Sequence, residues 1–250
     1  MKSKVSFVLV CLLLGSAIFA KEDSTATFRY KFTPLYEIKN TPVKDQGRSG
    51  TCWAYATISF LESEIYKKTG KELDLSEMYI VRAAYAKKAR KFVRLHGANT
   101  FAQGGQSHDV TDMMKLHGIV PEEAYAGFKM DGEVNHREIS RVTTNFLEAV
   151  IDSRYLTSKW YEAFNAILDV YLGEMPQKFD YDGKKYTPKD FLKDYCKINP
   201  DDYIELTSYT NYPFYKKCCL EIPDNWSYNC NYYNLPIDEL EAIVDGAIKE

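Results

Sequence analysis

The chain has 250 residues, a formal net charge of −3 and 45% hydrophobic residues, which is ordinary for a folded protein of one large or two modest domains. Acidic and basic residues are mixed along it, without a basic stripe or a long acidic tail. This distribution excludes the usual electrostatic signature of a nucleic-acid-binding protein and that of a disordered charged arm.

The first twenty residues have the layout of a secretory signal peptide. Lys2 and Lys4 precede an apolar run over residues 5–14, which is too short for a comfortable membrane span. Ala17 and Ala20 follow as small residues near a cleavage point. We therefore predict a secreted or periplasmic protein that has no membrane contact once the signal is removed.

A glycine-rich loop leads into the first predicted helix. The loop contains Gly47 and Gly50. From Trp53 onward, apolar residues recur at helical spacing: Ala54, Ile58, Leu61 and Ile65. Gly70 then supplies a C-terminal stop. Cys52 is therefore expected at the N-terminus of a buried helix.

Two further helices and a glycine pair follow. Ser76 is a suitable N-cap for a second helix, expected from about Glu77 to Arg90. A third helix is expected from His108 to His117, where the next residue is glycine. The loop between these two helices holds the adjacent pair Gly104 and Gly105.

The middle of the chain is predicted to be mainly helical. The polar and aromatic pattern over residues 133–174 predicts one or two helices. An Asp-Gly pair at the centre of residues 179–186 predicts a β-hairpin. Thr187 and Pro188 then suit the N-cap and first position of another helix.

The last fifty residues change character. Residues 203–209 and 217–222 are predicted strands, and residues 231–235 form a candidate third strand. Pro236 leads into a helix that is expected to begin at Ile237 and to be still running at the end of the printed sequence.

The cysteines predict a disulfide and one free thiol. Removal of the signal leaves five, and an odd count in an exported protein leaves one thiol unpaired. We predict that Cys218 or Cys219 pairs with Cys230. Cys196 is then predicted to form a disulfide with the remaining one of Cys218 and Cys219, and Cys52 stays free. The chain has no C-x-x-C motif, so a redox centre is less favoured.

The position of Cys52 suits nucleophilic chemistry. A cysteine attacks carbonyl groups as the thiolate, and the partial positive charge of a helix N-terminus favours an anion there. The resulting oxyanion needs hydrogen-bond donors. The backbone N–H of Cys52 and the side-chain amide of Gln46 are candidates for this role.

These residues carry a family resemblance. The segment Gln46-Gly-Arg-Ser-Gly-Thr-Cys-Trp53, with Pro-Val-Lys-Asp before it, resembles the active-site signature of papain-like cysteine peptidases. Ser49 stands where most secreted members have a disulfide cysteine, as in the bleomycin hydrolase and aminopeptidase C group. Five further segments are similar to that group: Leu75–Tyr79, Gly104–Gln106, His117–Pro121, Pro213–Tyr215 and Leu235–Asp238.

The resemblance runs from about residue 30 to the end and implies an α+β, papain-like fold. It implies a left domain with the nucleophile helix at residues 21–125 and a helical insertion at residues 126–200. The β-rich right domain would begin at residue 201 and be incomplete at residue 250.

The resemblance also implies an activity. It implies a cysteine-type peptidase, specifically an aminopeptidase that cleaves N-terminal residues from peptides through an acyl-enzyme. Cys52 would be the nucleophile and Gln46 the oxyanion donor. Trp53, Gly104 and Gly105 would bind substrate. Peptides are the expected partners, with no cofactor and no metal. Members often form hexamers with a C-terminal arm in the cleft, which is not found here, so no oligomeric state is predicted.

The histidine that such a site needs is not recognisable in the sequence. The chain has four histidines, His96, His108, His117 and His136. No match to the family's His-Ala or Asn-Ser-Trp-Gly segments is present. His108 and His117 are expected to be surface or cap residues, because nine helical positions place them on opposite faces. His96 lies in a predicted loop and is a weaker candidate for reaching Cys52. None shows a zinc-ligand pattern.

Three hypotheses follow. The first is a piece of a longer secreted aminopeptidase whose second wall, histidine and asparagine lie downstream. The second is a truncated peptide-binding relic of the same fold, without catalysis. The third and weakest is redox or metal binding through Cys218, Cys219 and Cys230. We expect the isolated chain to be a poor enzyme and to expose an apolar face that favours aggregation.

Overall fold

The computed structural model describes residues 30, 32–127, 129 and 132–249. The predicted signal peptide lies outside them. The chain divides into two compact units, residues 1–37 and 38–250. The described residues of the first unit contain no helix or strand. Among the described helices, none combines the length and apolar character needed to cross a membrane.

The first helix, α1 (Cys52–Thr69), confirms the prediction from the apolar spacing. All four expected core positions are buried: Ala54, Ile58, Leu61 and Ile65. The helix ends at Gly70, whose φ of 69° is a left-handed conformation that glycine adopts without strain. Burial of this face fixes the helix, and therefore fixes the position of its first residue.

Helix α2 (Glu77–Arg94) is the centre of the helical part. The hydroxyl of Ser76 caps it by accepting a 3.0 Å hydrogen bond from the backbone N–H of Tyr79. Thirteen of its 18 residues are buried, because it packs against α1, α3 and both helices of the middle region. It runs one turn further than predicted, since Val93 continues the buried face. Helix α3 (Ser107–His117) follows the prediction.

The middle region contains two helices and a hairpin, as predicted. Helices α4 (Arg137–Ile151) and α5 (Lys159–Leu172) pack against each other and against α2. Strands β1 (Phe179–Tyr181) and β2 (Lys184–Tyr186) pair antiparallel across the Asp-Gly turn. The short helix α6 (Pro188–Asp190) begins at the predicted proline and leads into a π-helical turn.

A small mixed sheet forms the C-terminal region. Strand β5 (Tyr232–Asn234) lies between β3 (Leu206–Thr207), which is parallel to it, and β4 (Lys216–Cys218), which is antiparallel. All three strands are shorter than predicted. Helix α7 (Ile237–Lys249) follows and has no buried residue.

The predicted strand over residues 217–222 is wrong beyond Cys218. There the backbone turns, and the N–H of Ile222 donates to the carbonyl of Leu220 at 3.1 Å. A disulfide between Cys219 and Cys230 closes the loop that follows. Helices and short strands together make the fold α+β, as expected. The domain boundaries drawn from the sequence stay predictions.

Candidate active site

Cys52 is the first residue of α1, and its thiol is exposed and free. The next two residues, Trp53 and Ala54, are buried, so the helix start is anchored while the cysteine faces outward. The carbonyl of Thr51 accepts the first helical hydrogen bond, from the N–H of Ala54 at 2.9 Å. The arrangement presents a sulfur at the N-terminal end of an 18-residue helix.

The loop before Cys52 is held against the chain near Val134. The N–H of Arg48 donates to the carbonyl of Val134 at 2.8 Å, and the N–H of His136 donates to the carbonyl of Arg48 at 3.1 Å. Gly47 has a φ of 58°, and a Cβ there would collide with the Val134 carbonyl oxygen. Glycine is therefore required at this position by both backbone conformation and space.

Ser49 closes the same loop by hydrogen bonds. It is buried, and its hydroxyl donates to the carbonyl of Gln46 at 2.8 Å. The hydroxyl oxygen of Ser49 also lies 2.6 Å from the hydroxyl oxygen of Thr51. Two short polar contacts thus fix the loop geometry without a covalent bond.

Gln46 lies in this loop and points its amide inward. Its Nε2 donates to the carbonyl of Ser49 at 2.6 Å. A side-chain amide has two N–H donors, so one remains for a substrate oxyanion. The oxyanion role of Gln46 stays a prediction that this geometry allows.

Lys44 anchors the segment that precedes the loop. Its ammonium pairs with Glu62 at 3.1 Å, Asp74 at 2.6 Å and Glu77 at 2.7 Å. Burial lowers the pKa of Lys44, but Glu77 and its neighbours outweigh that effect and raise it overall. Burial raises the pKa of Glu77 to about 7, against the opposing charge of Lys44. This anchor was not predicted from the sequence, although Lys44 belongs to the Pro-Val-Lys-Asp segment before Gln46.

A second loop, residues 102–106, lies beside the cysteine loop. Gln103 joins the two: its Oε1 accepts from the N–H of Gly50 at 2.7 Å, and its carbonyl accepts from Trp53 Nε1 at 2.9 Å. Gly105 packs on the indole, since a Cβ there would lie 2.8 Å from a ring carbon of Trp53. The structure therefore brings the glycine pair and Cys52 into one surface, which we call the nucleophile wall.

Trp53 lies beneath this wall. Its side chain is only 7% exposed, and both its ring face and its N–H are used by the loop of residues 102–106. The suggestion that Trp53 binds substrate stays a prediction, and the structure gives it a supporting position under Gly105. Gln103 was not predicted as a site residue. Its position directly before Gly104 was the feature of the sequence that could have indicated it.

Buried charges support the wall from below. The ammonium of Lys88 donates to the carbonyls of Ala102 and Gly104. Burial lowers the pKa of Lys88 to about 8, although Asp109 and Asp224 oppose that shift. Burial also raises the pKa of Asp109. These groups fix the carbonyl directions of the glycine loop.

The C-terminal region docks on the wall through Trp226 and neighbouring polar contacts. Trp226 is 2% exposed, and its Nε1 donates to Asp109 Oδ2 at 2.9 Å. Its carbonyl accepts from Asn99 at 3.1 Å, and the carbonyl of Ser227 accepts from Lys91 at 2.6 Å. The disulfide-closed loop, residues 219–230, is thereby fixed beside the glycine pair.

None of the described side chains donates to or accepts from the Cys52 sulfur, and the histidines have other positions. His108 is 7% exposed and contacts Glu205 and Ser227, so the expectation of a surface or cap residue is wrong for it. Its burial follows from packing against the C-terminal region, which helical spacing alone does not reveal. His117 is exposed at the end of α3, and His96 lies just past the end of α2.

His136 is buried, with Nδ1 3.0 Å from the hydroxyl of Tyr85. Burial lowers its pKa to about 4. It supports the loop of Arg48 through its backbone N–H and is not positioned as a base for Cys52.

Of the two predicted disulfides, the one to Cys230 is correct and the one to Cys196 is wrong. Cys219 pairs with Cys230, but Cys196 and Cys218 are both free and buried. Cys196 packs in the hydrophobic core, whereas Cys218 lies on β4 of the C-terminal sheet, and burial raises the pKa of the Cys196 thiol. Among the described residues, no group of three or more histidine, cysteine or acidic side chains is arranged to hold a metal ion.

Comparison with known proteins gives a consistent picture. Residues 16–250 match the peptidase C1-like family. Digestive cysteine proteinase 2 of Homarus americanus is 37% identical over 93 residues, covering 37% of this chain and 26% of that protein. Procathepsin L of Mus musculus is 33% identical over 98 residues, covering 39% and 26%. The chain thus spans about a quarter of the length of these curated relatives.

A solved structure supports the fold. The crystal structure of PepW from Lactobacillus rhamnosis HN001 superposes with a TM-score of 0.69 at 21% identity, covering 87% of this chain and 59% of that chain. The papain-like fold expected from the sequence is confirmed by this likeness. The predicted relationship to papain-like cysteine peptidases is confirmed by the sequence matches.

Proposed function

Because the chain belongs to the peptidase C1-like family, we propose that it supplies the nucleophile wall of a cysteine peptidase that releases residues from the N-termini of peptides. Peptides are its proposed substrates, and Cys52 is the proposed nucleophile. Gln46, Gly104 and Gly105 are the proposed contacts of the reacting carbonyl and the substrate backbone.

One observation carries this proposal. Cys52 is exposed at the N-terminus of a buried helix, and the glycine pair lies beside it, joined through Gln103. Among the three free cysteines of the described chain, the other two are buried. A thiol so placed combines access, a favourable helix terminus and a neighbouring backbone surface that lacks side chains.

The proposed reaction proceeds in two steps. The Cys52 thiolate attacks the scissile carbonyl carbon, a C–S bond forms, the C–N bond breaks, and the leaving amine takes a proton from an imidazolium ion. Water then cleaves the thioester, which releases the N-terminal fragment as a carboxylic acid and returns the thiol. We assign the imidazolium to residues outside these 250, since the described histidines have other partners or positions.

We also propose that the protein works outside the cytoplasm. The Cys219–Cys230 disulfide supports this, because such bonds persist in oxidising compartments. The layout of the first twenty residues points the same way.

Product analysis tests the proposed activity. A mixture of peptides is incubated with a form of the protein that includes the residues proposed to carry the imidazolium, and the products are sequenced by mass spectrometry. We expect stepwise removal of N-terminal residues, its loss in Cys52→Ala and its retention in Cys218→Ala. The second variant is a matched control, because Cys218 is a free thiol that is buried in the C-terminal sheet.

Other products would argue for other functions. Cleavage at internal bonds would contradict the aminopeptidase proposal while keeping the peptidase. Saturable peptide binding without any cleavage would favour the non-catalytic peptide-binding alternative.

A further inference from the structure

His108 occupies the junction between helix α3 and the C-terminal region. Its side chain is only 7% exposed. One ring nitrogen, Nδ1, lies 3.1 Å from Glu205 Oε2 and 3.0 Å from the hydroxyl oxygen of Tyr232. The other, Nε2, lies 2.7 Å from Ser227 Oγ. The chain before β3, the disulfide-closed loop and strand β5 therefore meet on one imidazole.

The partners of Nδ1 indicate that this nitrogen carries a hydrogen. A carboxylate accepts hydrogen bonds and donates none. Burial raises the pKa of Glu205, but hydrogen bonds from His108 and Ser107 outweigh that effect and lower it overall, so the group is ionised. A bare Nδ1 would turn its lone pair toward this charge at 3.1 Å. A hydrogen on Nδ1 removes the repulsion and forms a hydrogen bond instead.

The partners of Nε2 indicate a hydrogen there as well. The amide of Asn225 is oriented by its Nδ2, which donates to the carbonyls of Leu220 at 2.8 Å and Asn229 at 2.9 Å. Its Oδ1 therefore faces Ser227, whose hydroxyl donates to it at 3.3 Å. Since Ser227 has donated its one hydrogen, its oxygen accepts from His108 Nε2. A serine nucleophile would instead donate to the imidazole, so this pair is not arranged for catalysis.

A buried carboxylate lies beside the same nitrogen. Asp109 Oδ1 is 3.6 Å from His108 Nε2 and, among the described residues, has no hydrogen-bond partner. A charge that is buried without a partner destabilises the folded state. With hydrogens on both nitrogens, His108 is an imidazolium ion that compensates Asp109 on one side and Glu205 on the other. A neutral ring compensates neither charge.

We propose that the imidazolium form of His108 clamps the C-terminal region onto the nucleophile wall, and that removal of its proton releases this clamp. The inference does not rest on the proposed peptidase activity. The proton passes from the ring to water, and the neutral ring then lacks a donor for either Ser227 or Glu205. The disulfide-closed loop carries both Ser227 and Trp226, so it is the segment that we expect to loosen.

The groups around His108 favour its charged form. Burial lowers the pKa of His108. Its hydrogen bond to Glu205 and the charges of Asp109 and Asp112 outweigh that effect and raise the pKa above its ordinary value of 6.5. The phenol of Tyr232 is neutral, because burial raises its pKa. The cations on the surrounding elements, whose charges act in the opposite direction, are Lys88 and Lys91 on α2, Lys115 on α3 and Lys217 on β4.

The raised pKa of His108 sets the direction of the pH dependence. A group whose pKa is higher in the docked state contributes its full stabilisation below its undocked pKa, about 6.5. The contribution is lost as the pH rises through the docked pKa. We therefore expect the C-terminal region to be held most firmly in acid and to loosen at alkaline pH. His136 has a folded pKa of about 4, so its effect lies below this window.

Hydrogen exchange, followed by mass spectrometry between about pH 6.5 and 9, tests the inference. Labelling times are scaled to the intrinsic rise of the exchange rate with pH. We expect protection of residues 220–235 to fall about tenfold across this window, as loss of one hydrogen bond between charged groups provides. Protection of residues 53–65 in α1 should stay constant. A proton NMR titration, with the ring signal assigned by its absence in His108→Gln, should give a His108 pKa above 6.5.

The variants His108→Gln and Glu205→Gln each remove one member of the clamp and keep a side chain of similar size. Both should show reduced protection of residues 220–235 at pH 6.5 and little further loss up to pH 9. His117→Gln is the matched control, because His117 is an exposed histidine at the other end of the same helix, and it should behave like the unsubstituted protein. Circular dichroism checks that each variant keeps its helices. Should one variant unfold, the other variant and the NMR titration still decide.

Four results would overturn the inference. They are a His108 pKa at or below 6.5, constant protection of residues 220–235 in the unsubstituted protein, a pH-dependent loss that persists in both variants, and a parallel loss in α1. The last would mean that His108 stabilises the whole fold and does not act on the C-terminal region in particular. No peptide substrate is used, so failure of the clamp and failure of the proposed peptidase are distinguishable.

Discussion

The nucleophile wall and the C-terminal region, residues 201–249, are stabilised by different kinds of contact. The wall rests on α2, with 13 of 18 residues buried, and on α1, with a continuous apolar face. In the C-terminal region the strands have two or three residues, and α7 has no buried residue. That region depends on a disulfide, Trp226 and polar contacts to His108.

The two kinds of contact indicate two roles: the apolar core positions Cys52, and the C-terminal region supports the wall. The apolar core can hold Cys52 in place whatever the C-terminal region does, because burial of its side chains does not require the sheet. The C-terminal region adds Trp226 and Asp224, which lies against Gly104, to the wall but contributes little core of its own. We therefore expect substitutions in the two regions to have unequal effects on stability, and four experiments measure this inequality.

The largest expected difference is between two isoleucine substitutions. Ile58 in α1 is fully buried, whereas Ile243 in α7 is 45% exposed. We expect Ile58→Ala to lower the free energy of unfolding by about 4 kcal/mol, as loss of a buried side chain leaves a cavity. Ile243→Ala should change it by less than about 0.5 kcal/mol. Urea unfolding measures both. Equal effects would mean that α7 is covered in solution.

Acid should weaken the wall through His136. Its folded pKa is lowered from 6.5 to about 4 by burial, so the unfolded chain binds a proton more readily. The contribution of neutral, buried His136 to the free energy of unfolding is fully present above pH 6.5 and is lost progressively as the pH falls toward 4. The loss amounts to about 3 kcal/mol.

The measurement is urea unfolding at several pH values between 4 and 7, compared with the non-titrating variant His136→Asn. The unsubstituted protein should lose more stability than the variant across this window. Identical pH profiles would show that His136 is accessible to protons in the folded state.

The junction between the two regions should respond less strongly. Trp226→Phe removes the hydrogen bond to the buried Asp109 carboxylate, and we expect a loss of about 2 kcal/mol. Limited proteolysis should then cut residues 205–234 faster while leaving α1–α3 intact. Trp160→Phe, at a half-buried indole on α5, is the control and should leave the cleavage pattern unchanged. Faster cutting throughout the chain would mean that the regions unfold together.

The smallest effect concerns Gly246 in α7. A Cβ there meets open space, so Gly246→Ala should stabilise the helix by about 1 kcal/mol. The same substitution at Gly47 should destabilise the protein, because φ is 58° and Val134 blocks the Cβ. Circular dichroism during thermal unfolding shows whether each substitution raises or lowers the melting temperature. A destabilised Gly246→Ala would show that α7 needs its glycine for a contact.

Several parts of the site were predictable because their signals are local. The loop glycines and the apolar spacing after Trp53 lie within one stretch of chain, and they placed Cys52 correctly at a helix start. Ser76 and Gly70 marked helix ends through capping chemistry that depends on neighbouring residues only. The strand lengths near residue 220 were overestimated, since alternation alone does not reveal the turn at Leu220.

The amino-acid sequence by itself determined the helix order, the family likeness and the identity of the exposed thiol, because these follow from short-range patterns and motif spacing. The tertiary structure alone decided that Cys196 stays unpaired, that His108 is buried and that Asp224 lies against Gly104. Asp224 is about 120 residues from Gly104 in the chain. Such contacts form only when separately folded elements pack, and no local pattern carries their geometry.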